Sequence, residues 1–117
     1  MREINDYTNS RGDELISQYI NSLADKGRAD HAKKIFEKIE HLNKFEFSLL
    51  IRDRMVKKLG NNLYELIIRW KEASYRIFFS IINQDYQLLH VFCKKSQKTP
   101  LKELKLATKR LKEIYKK

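Results

Sequence analysis

Residues 63–100, LYELIIRWKEASYRIFFSIINQDYQLLHVFCKKSQKTP, constrain the chain more than any other stretch. Two apolar runs rich in β-branched and aromatic residues flank a polar interval, Lys71-Glu72-Ala73-Ser74, and a third run follows. Successive strand side chains point to opposite faces. With residues 71–74 as a hairpin loop, Trp70 pairs with Tyr75, Arg69 with Arg76 and Ile68 with Ile77. One face collects Tyr64, Leu66, Ile68, Trp70, Tyr75, Ile77, Phe79 and Ile81, which is a core face. The other carries Leu63, Glu65, Ile67, Arg69, Arg76, Phe78, Ser80 and Ile82, with two arginines directly opposite each other. Like charges so placed destabilise a strand pair by roughly 0.2–1 kcal/mol. A fold tolerates that more readily when the pair serves an anion. The alternative is that both guanidinium groups splay into water, or that Glu65 or Glu72 neutralises them.

A turn at Asn83-Gln84-Asp85 leads to a third strand over residues 86–93. Three loop residues pair Ile82 with Tyr86, Phe78 with His90 and Arg76 with Phe92. His90 and Phe92 then join the arginine face, and Leu89, Val91 and Cys93 the core face. A loop of two or four residues reverses this assignment.

Upstream, residues 2–7 suggest a short edge strand. Leu15, Ile16, Tyr19, Ile20 and Leu23 recur at helical spacing. Gly27 is a left-handed terminator for that helix. A second helix spans about residues 29–42 on the stripe Ala32, Ile35, Phe36, Ile39 and Leu42. The short break predicts an antiparallel helical hairpin. His31 and His41 read as solvated surface. Residues 43–54 fit either a short helical turn or an extended crossing. Residues 55–59 start the sheet, and Gly60-Asn61-Asn62 is a turn. After the basic segment 94–100, Thr99 is placed to cap a last helix with Pro100 at its first position. Its apolar stripe is Leu101, Leu104, Ala107, Thr108, Leu111, Ile114 and Tyr115. The expected class is α+β: a helical hairpin on a twisted antiparallel sheet of three to four strands, with a C-terminal helix, in a single domain over residues 1–117.

Charge is unevenly placed. Residues 1–50 hold 8 Lys+Arg against 9 Asp+Glu, and residues 51–117 hold 17 against 6, so the net +10 lies wholly in the second part. Such asymmetry points to a polyanion, of which nucleic acid is the commonest. An anionic membrane surface or an acidic protein would use the same charge. The single cysteine, Cys93, excludes an internal disulfide and fits a reducing compartment. No apolar run approaches the roughly 20 residues that cross a bilayer, so a cytoplasmic protein without membrane association is expected. One Cys and three scattered His offer no metal constellation. Neither a phosphate-binding glycine loop nor a Gly-x-Ser-x-Gly elbow is present. Neither a metal nor a cofactor is expected.

The residues left suit RNA cleavage by transphosphorylation. A ribose 2′-hydroxyl attacks the adjacent phosphate, charge builds on the non-bridging oxygens, and the 5′ oxygen departs. Fixed guanidinium and ammonium groups stabilise that charge. Crowded cations favour the neutral form of a neighbouring Lys or His, so a basic cluster generates its own base. Arg69, Arg76, Lys94, Lys95 and Lys98 are candidates to supply charge, and His90 or a lysine to move protons. Tyr75 or Phe92 is a candidate base stacker, Phe92 the better if Tyr75 faces the core.

The pieces Lys57-Lys58-Leu59, Leu63-Tyr64-Glu65-Leu66, Arg69, Tyr75-Arg76-Ile77, Leu88-Leu89-His90-Val91-Phe92, Lys94-Lys95 and Gln97-Lys98-Thr99-Pro100, with Ala107 and Arg110 beyond, resemble the HigB-like, phage-derived branch of the RelE/ParE toxin superfamily. The resemblance covers about residues 55–117. It implies a RelE-like fold and the toxin half of a type II toxin–antitoxin pair. Such toxins typically cleave mRNA in the ribosomal A site. A helix-turn-helix, HigA-like antitoxin neutralises them, and operator DNA is met only through that complex. By this similarity Arg69, Arg76, Lys94 and Lys95 handle phosphate, with Lys58 and Lys98 supporting; from the residues themselves, His90 stays a candidate for proton transfer and Lys57 and Phe92 for substrate binding. The gyrase-inhibiting branch of the superfamily and a non-catalytic nucleic-acid- or ribosome-binding module remain alternatives.

Overall fold

The computed structural model describes residues 2–95, 98 and 100–116. Among these, the elements run β1 (Ile4–Asn5), α1 (Leu15–Asp25), α2 (Ala29–Lys44), α3 (Phe47–Arg52), β2 (Val56–Gly60), β3 (Leu63–Trp70), β4 (Ala73–Ile82), β5 (Asp85–Cys93) and α4 (Leu101–Tyr115). The class is α+β, with strand order β1-β5-β4-β3-β2. The expected antiparallel sheet of three to four strands is therefore a five-stranded mixed one. The difference is β1, which pairs parallel to β5 through Ile4↔Tyr86 and Asn5↔Gln87. The ambiguous segment 43–54 resolves into α3.

Helices α1 and α2 form the expected hairpin. Gly27 takes φ +79°, Arg28 N–H reaches the Leu23 carbonyl at 2.8 Å, and Gly27 N–H reaches Ala24 at 3.1 Å. That pair of bonds closes the helix with a left-handed glycine. The start of α1 is capped from outside: Asp6 carboxylate oxygens accept the Ile16 and Ser17 N–H groups at 3.0 and 2.9 Å. The two helices bury Ile16, Ile20, Ile35 and Leu42 against Leu66, Ile68, Tyr75, Ile77 and Phe79 of the sheet. His31 is not solvated. It is 4% exposed and shares a 2.8 Å hydrogen bond with the Tyr75 hydroxyl. His41 is half-buried, with burial lowering its pKa.

The β3–β4 loop has two residues, not four, so Trp70 faces Ala73, Arg69 faces Ser74 and Ile67 faces Arg76. Lys71 takes φ +54° to turn that tightly without glycine. The shift is two residues, an even number, so both faces keep their predicted members. At the next turn Asn83 and Gln84 both have positive φ, 51° and 72°, as in a type I′ hairpin. A two-residue loop reverses the predicted faces, and near the turn Ile82 does pair with Asp85 rather than Tyr86. A bulge between Phe78 and Phe79 then restores them, and Phe78↔His90 and Arg76↔Phe92 form as expected. The correction falls on Leu89, which leaves the core face and joins Phe78, Phe92, Leu63, Ala107 and Leu111 in a second apolar cluster beneath α4. The expected cap Thr99 lies outside the described residues, and Pro100 is the N-cap of α4, one position before the helix.

Candidate functional site

Helix α4 covers only part of the face that it packs on. Ala107 and Leu111 lie over Phe78, Leu89 and Phe92. Arg110 anchors the helix through the Leu89 carbonyl at 2.7 Å and lies 4.5 Å from the Tyr7 ring centre. The rest of the face, towards the β3–β4 turn, stays open as a cleft of about 600 Å³ lined by Lys57, Ile67, Arg69, Ser74, Arg76, Lys94 and Lys95.

Four of the five cations arrive by alternation, and Lys95 follows in the segment beyond β5. Lys57 sits opposite Glu65, Arg69 opposite Ser74, and Arg76 opposite Ile67, all on one face. Lys94 continues β5 by donating its N–H to the Ser74 carbonyl at 2.7 Å, which sets its side chain beside Arg76. Arg69 is exposed, whereas Arg76 is 7% exposed and ion-paired at 3.6 Å with Glu65, itself 1% exposed. Glu65 Oε2 has no hydrogen-bond partner among the described residues. Arg76 Nε and Nη2 each donate to Ser74 Oγ at 3.3 Å. Arg76 thus lies in the floor, held by Glu65 and Ser74, and Arg69 stands exposed above it.

The electrostatics follow from this crowding. Burial, reinforced by Arg69 and opposed by Glu65, lowers the Arg76 pKa. Lys94 is lowered too, first by burial, then by Arg76, with Lys57 and Arg69 adding to it and Glu65 opposing. A lysine so placed is a better base than a solvated one.

Four of the five residues expected to be catalytic, Arg69, Arg76, Lys94 and Lys95, therefore come together. His90 is on the same face but under α4, with Nε2 2.5 Å from Glu103 Oε2 and Nδ1 3.4 Å from Arg110 Nη1. Burial holds its pKa below the ordinary value despite Glu103. Phe92 is 7% exposed and stacked on His90, so it presents no free ring face to a base. Of the remaining substrate-binding candidates, Lys57 lines the cleft. Lys58 pairs with Tyr64, which packs against the core on the helical side of the sheet. Lys98 is exposed in the β5–α4 connection and is not among the cleft-lining residues. Of the two acids offered as neutralisers of the arginines, Glu65 is the one paired with Arg76, and Ser74 is a partner that the sequence did not assign to it. The Ser74 contact was hidden because it depends on the two-residue loop. Among the described residues no group of three or more His, Cys, Asp or Glu is placed to hold a metal ion. Nor is any described helix long and apolar enough to cross a membrane.

A family model described as phage derived protein Gp49-like matches residues 18–112. The chain belongs to that family. The Gp49-like family is RelE-like and linked to the toxins of toxin–antitoxin systems. The matched span contains every residue that lines the cleft, and it begins well before the segment that carried the resemblance in the sequence. Comparison with curated proteins and with solved structures returned no match.

Proposed function

We propose that this Gp49-like protein is a HigB-like toxin with a RelE-like fold: a metal-independent, ribosome-dependent mRNA endoribonuclease that acts by 2′-hydroxyl attack on the adjacent phosphate. The observation that carries the proposal is the convergence of Arg69, Arg76 and Lys94 on one open cleft. In this reading Arg76, fixed by Glu65 and Ser74, donates to a non-bridging oxygen of the scissile phosphate. Exposed Arg69 and Lys95 complete the cationic wall and strengthen as charge develops. Lys94, with its lowered pKa, accepts the 2′-hydroxyl proton as the 2′ oxygen bonds to phosphorus; the bond from phosphorus to the 5′ oxygen breaks, leaving a 2′,3′-cyclic phosphate, and the departing 5′ oxygen takes a proton from water. His90 plays no direct part, being tied to Glu103 beneath α4.

The partners proposed with this activity are mRNA in the ribosomal A site and a helix-turn-helix, HigA-like antitoxin, with operator DNA reached only through the complex. Family membership supports the antitoxin. A cytoplasmic location follows from such partners.

Primer extension on mRNA after induction, with and without translating ribosomes, tests the reading. New 5′ ends are expected only when ribosomes translate. Intact mRNA, with or without DNA-damage signals, refutes it. An adjacent short reading frame with a helix-turn-helix pattern is the expected genetic companion.

A further inference from the structure

The cleft does not end at Arg69. Strand β2 begins opposite Leu66, and the Met55 carbonyl takes the Ile67 N–H at 3.0 Å as the last bond on that edge of β3. The chain reaches this corner from α3 through Arg54, a non-glycine at φ +61°. Its turn is held by Arg54 N–H to the Ile51 carbonyl at 3.1 Å and Met55 N–H to Leu50 at 3.0 Å. A second depression of about 600 Å³ opens here and shares Lys57, Ile67 and Arg69 with the cleft. Ile51, Arg54 and Lys58 form further walls, and no carboxylate lines it. Ile51 is 37% exposed, an apolar side chain left at the rim.

We propose that this depression is a nucleotide subsite, which receives the nucleotide next to the scissile phosphate of the same RNA strand. The base lies against Ile51 and Ile67, and the flanking phosphate meets Arg54 and Lys58. Three features select that occupant. The apolar patch suits a planar base, whose faces are sequence-tolerant partners. The charged side chains that line it, Arg54, Lys57, Lys58 and Arg69, are all cationic, which matches a phosphodiester. Ile67 and Arg69 are alternate residues on one strand face, about 7 Å apart, so a strand whose phosphate sits at Arg69 has its neighbour at Ile67. The placement rests on the endoribonuclease reading, because it takes the first cleft to hold the scissile phosphate.

The test is binding of the purified protein to single-stranded 2′-O-methyl RNA, which cannot be cleaved by its own 2′ oxygen, by fluorescence anisotropy at low salt. Oligomers of two and four nucleotides are compared. Wild type is expected to prefer the longer. Arg54→Gln is expected to cut that preference by about tenfold, the loss of the flanking phosphate that only the longer oligomer carries, and Ile51→Asp to weaken both oligomers by about tenfold, the loss of a stacked base that the dinucleotide already supplies. Arg54→Gln is also expected to lower the salt slope for the longer oligomer by about one. Both sites are at the surface, and melting curves check that each variant folds. A wild type blind to length, an unchanged preference in Arg54→Gln, or unchanged binding by Ile51→Asp overturns the subsite. The nuclease reading fails on a separate measurement, absence of new mRNA 5′ ends with wild type, so the two failures are told apart.

Discussion

Replacing Arg76 with Ala removes more than a phosphate ligand. Glu65 is 1% exposed, and its ion-pair partner among the described residues is Arg76 at 3.6 Å. Losing one partner of a buried pair costs about 3–5 kcal/mol, because the other charge is left uncompensated. Proton uptake limits the loss. Neutralising an ordinary glutamate at pH 7 costs about 3.7 kcal/mol, at about 1.36 kcal/mol per unit above pKa 4.3. The expected destabilisation of Arg76→Ala at pH 7 is therefore about 3–4 kcal/mol. For 117 residues that lowers Tm by about 12–16 °C, at about 4 °C per kcal/mol. At pH 5 the same proton costs about 1 kcal/mol, so most of the deficit relative to wild type should vanish. The sign is that of an acid that must be neutral when folded: stability falls as pH rises above the unfolded carboxyl range. Adding Glu65→Gln should recover much of the loss at pH 7 while cleavage stays abolished. Thermal melts of wild type, single and double variants at pH 5 and 7 decide the matter. A pH-independent deficit, or a double variant less stable than Arg76→Ala, refutes the buried-pair reasoning. Growth arrest by a folded Arg76→Ala protein at the wild-type rate refutes the site.

Three other outcomes are expected. Lys94→Arg keeps the cation but removes an amine whose pKa burial and Arg76 lower, so cleavage should drop by about 100-fold or more with RNA binding retained; wild-type cleavage should rise with pH to a limit below the ordinary lysine range, and Glu65→Gln should move that limit lower, since Glu65 opposes the shift. Tyr75→Phe strands the buried His31 Nδ1 and should cost about 1–3 kcal/mol in a denaturant melt without changing cleavage by the surviving folded protein. Gly27→Ala meets nothing within 4 Å, so the φ of +79° alone should set its cost, about 1–2 kcal/mol in the same melt.

Much of the sheet was legible because side-chain alternation is local. The wrong β3–β4 loop length did no harm to the faces, since a slip of two residues preserves them. What it hid was a contact: Arg69 faces Ser74, and the two arginines are diagonal rather than opposed. The β5 register came out right near Arg76 through an extra residue at the bulge, which no local pattern announced. Glu65 looked like one possible neutraliser of exposed arginines. Its burial depends on Lys57 of β2 and on Phe78 and Arg76 of β4 closing around it from the two flanking strands.

The order of residues alone determined which side chains of β3 and β4 share a sheet face, and so put Arg69 and Arg76 on one side; His90, Phe92 and Lys94 join them through the bulge that resets β5. Only the tertiary structure decided how that side is divided. Ala107 and Leu111, remote in the chain, bring α4 down on Phe78, Leu89 and Phe92, and seal His90 and Phe92 away from the cations. The reason is physical: alternation is set by the backbone between neighbouring residues, whereas the portion of a face that a helix covers is set by packing between segments the backbone does not relate.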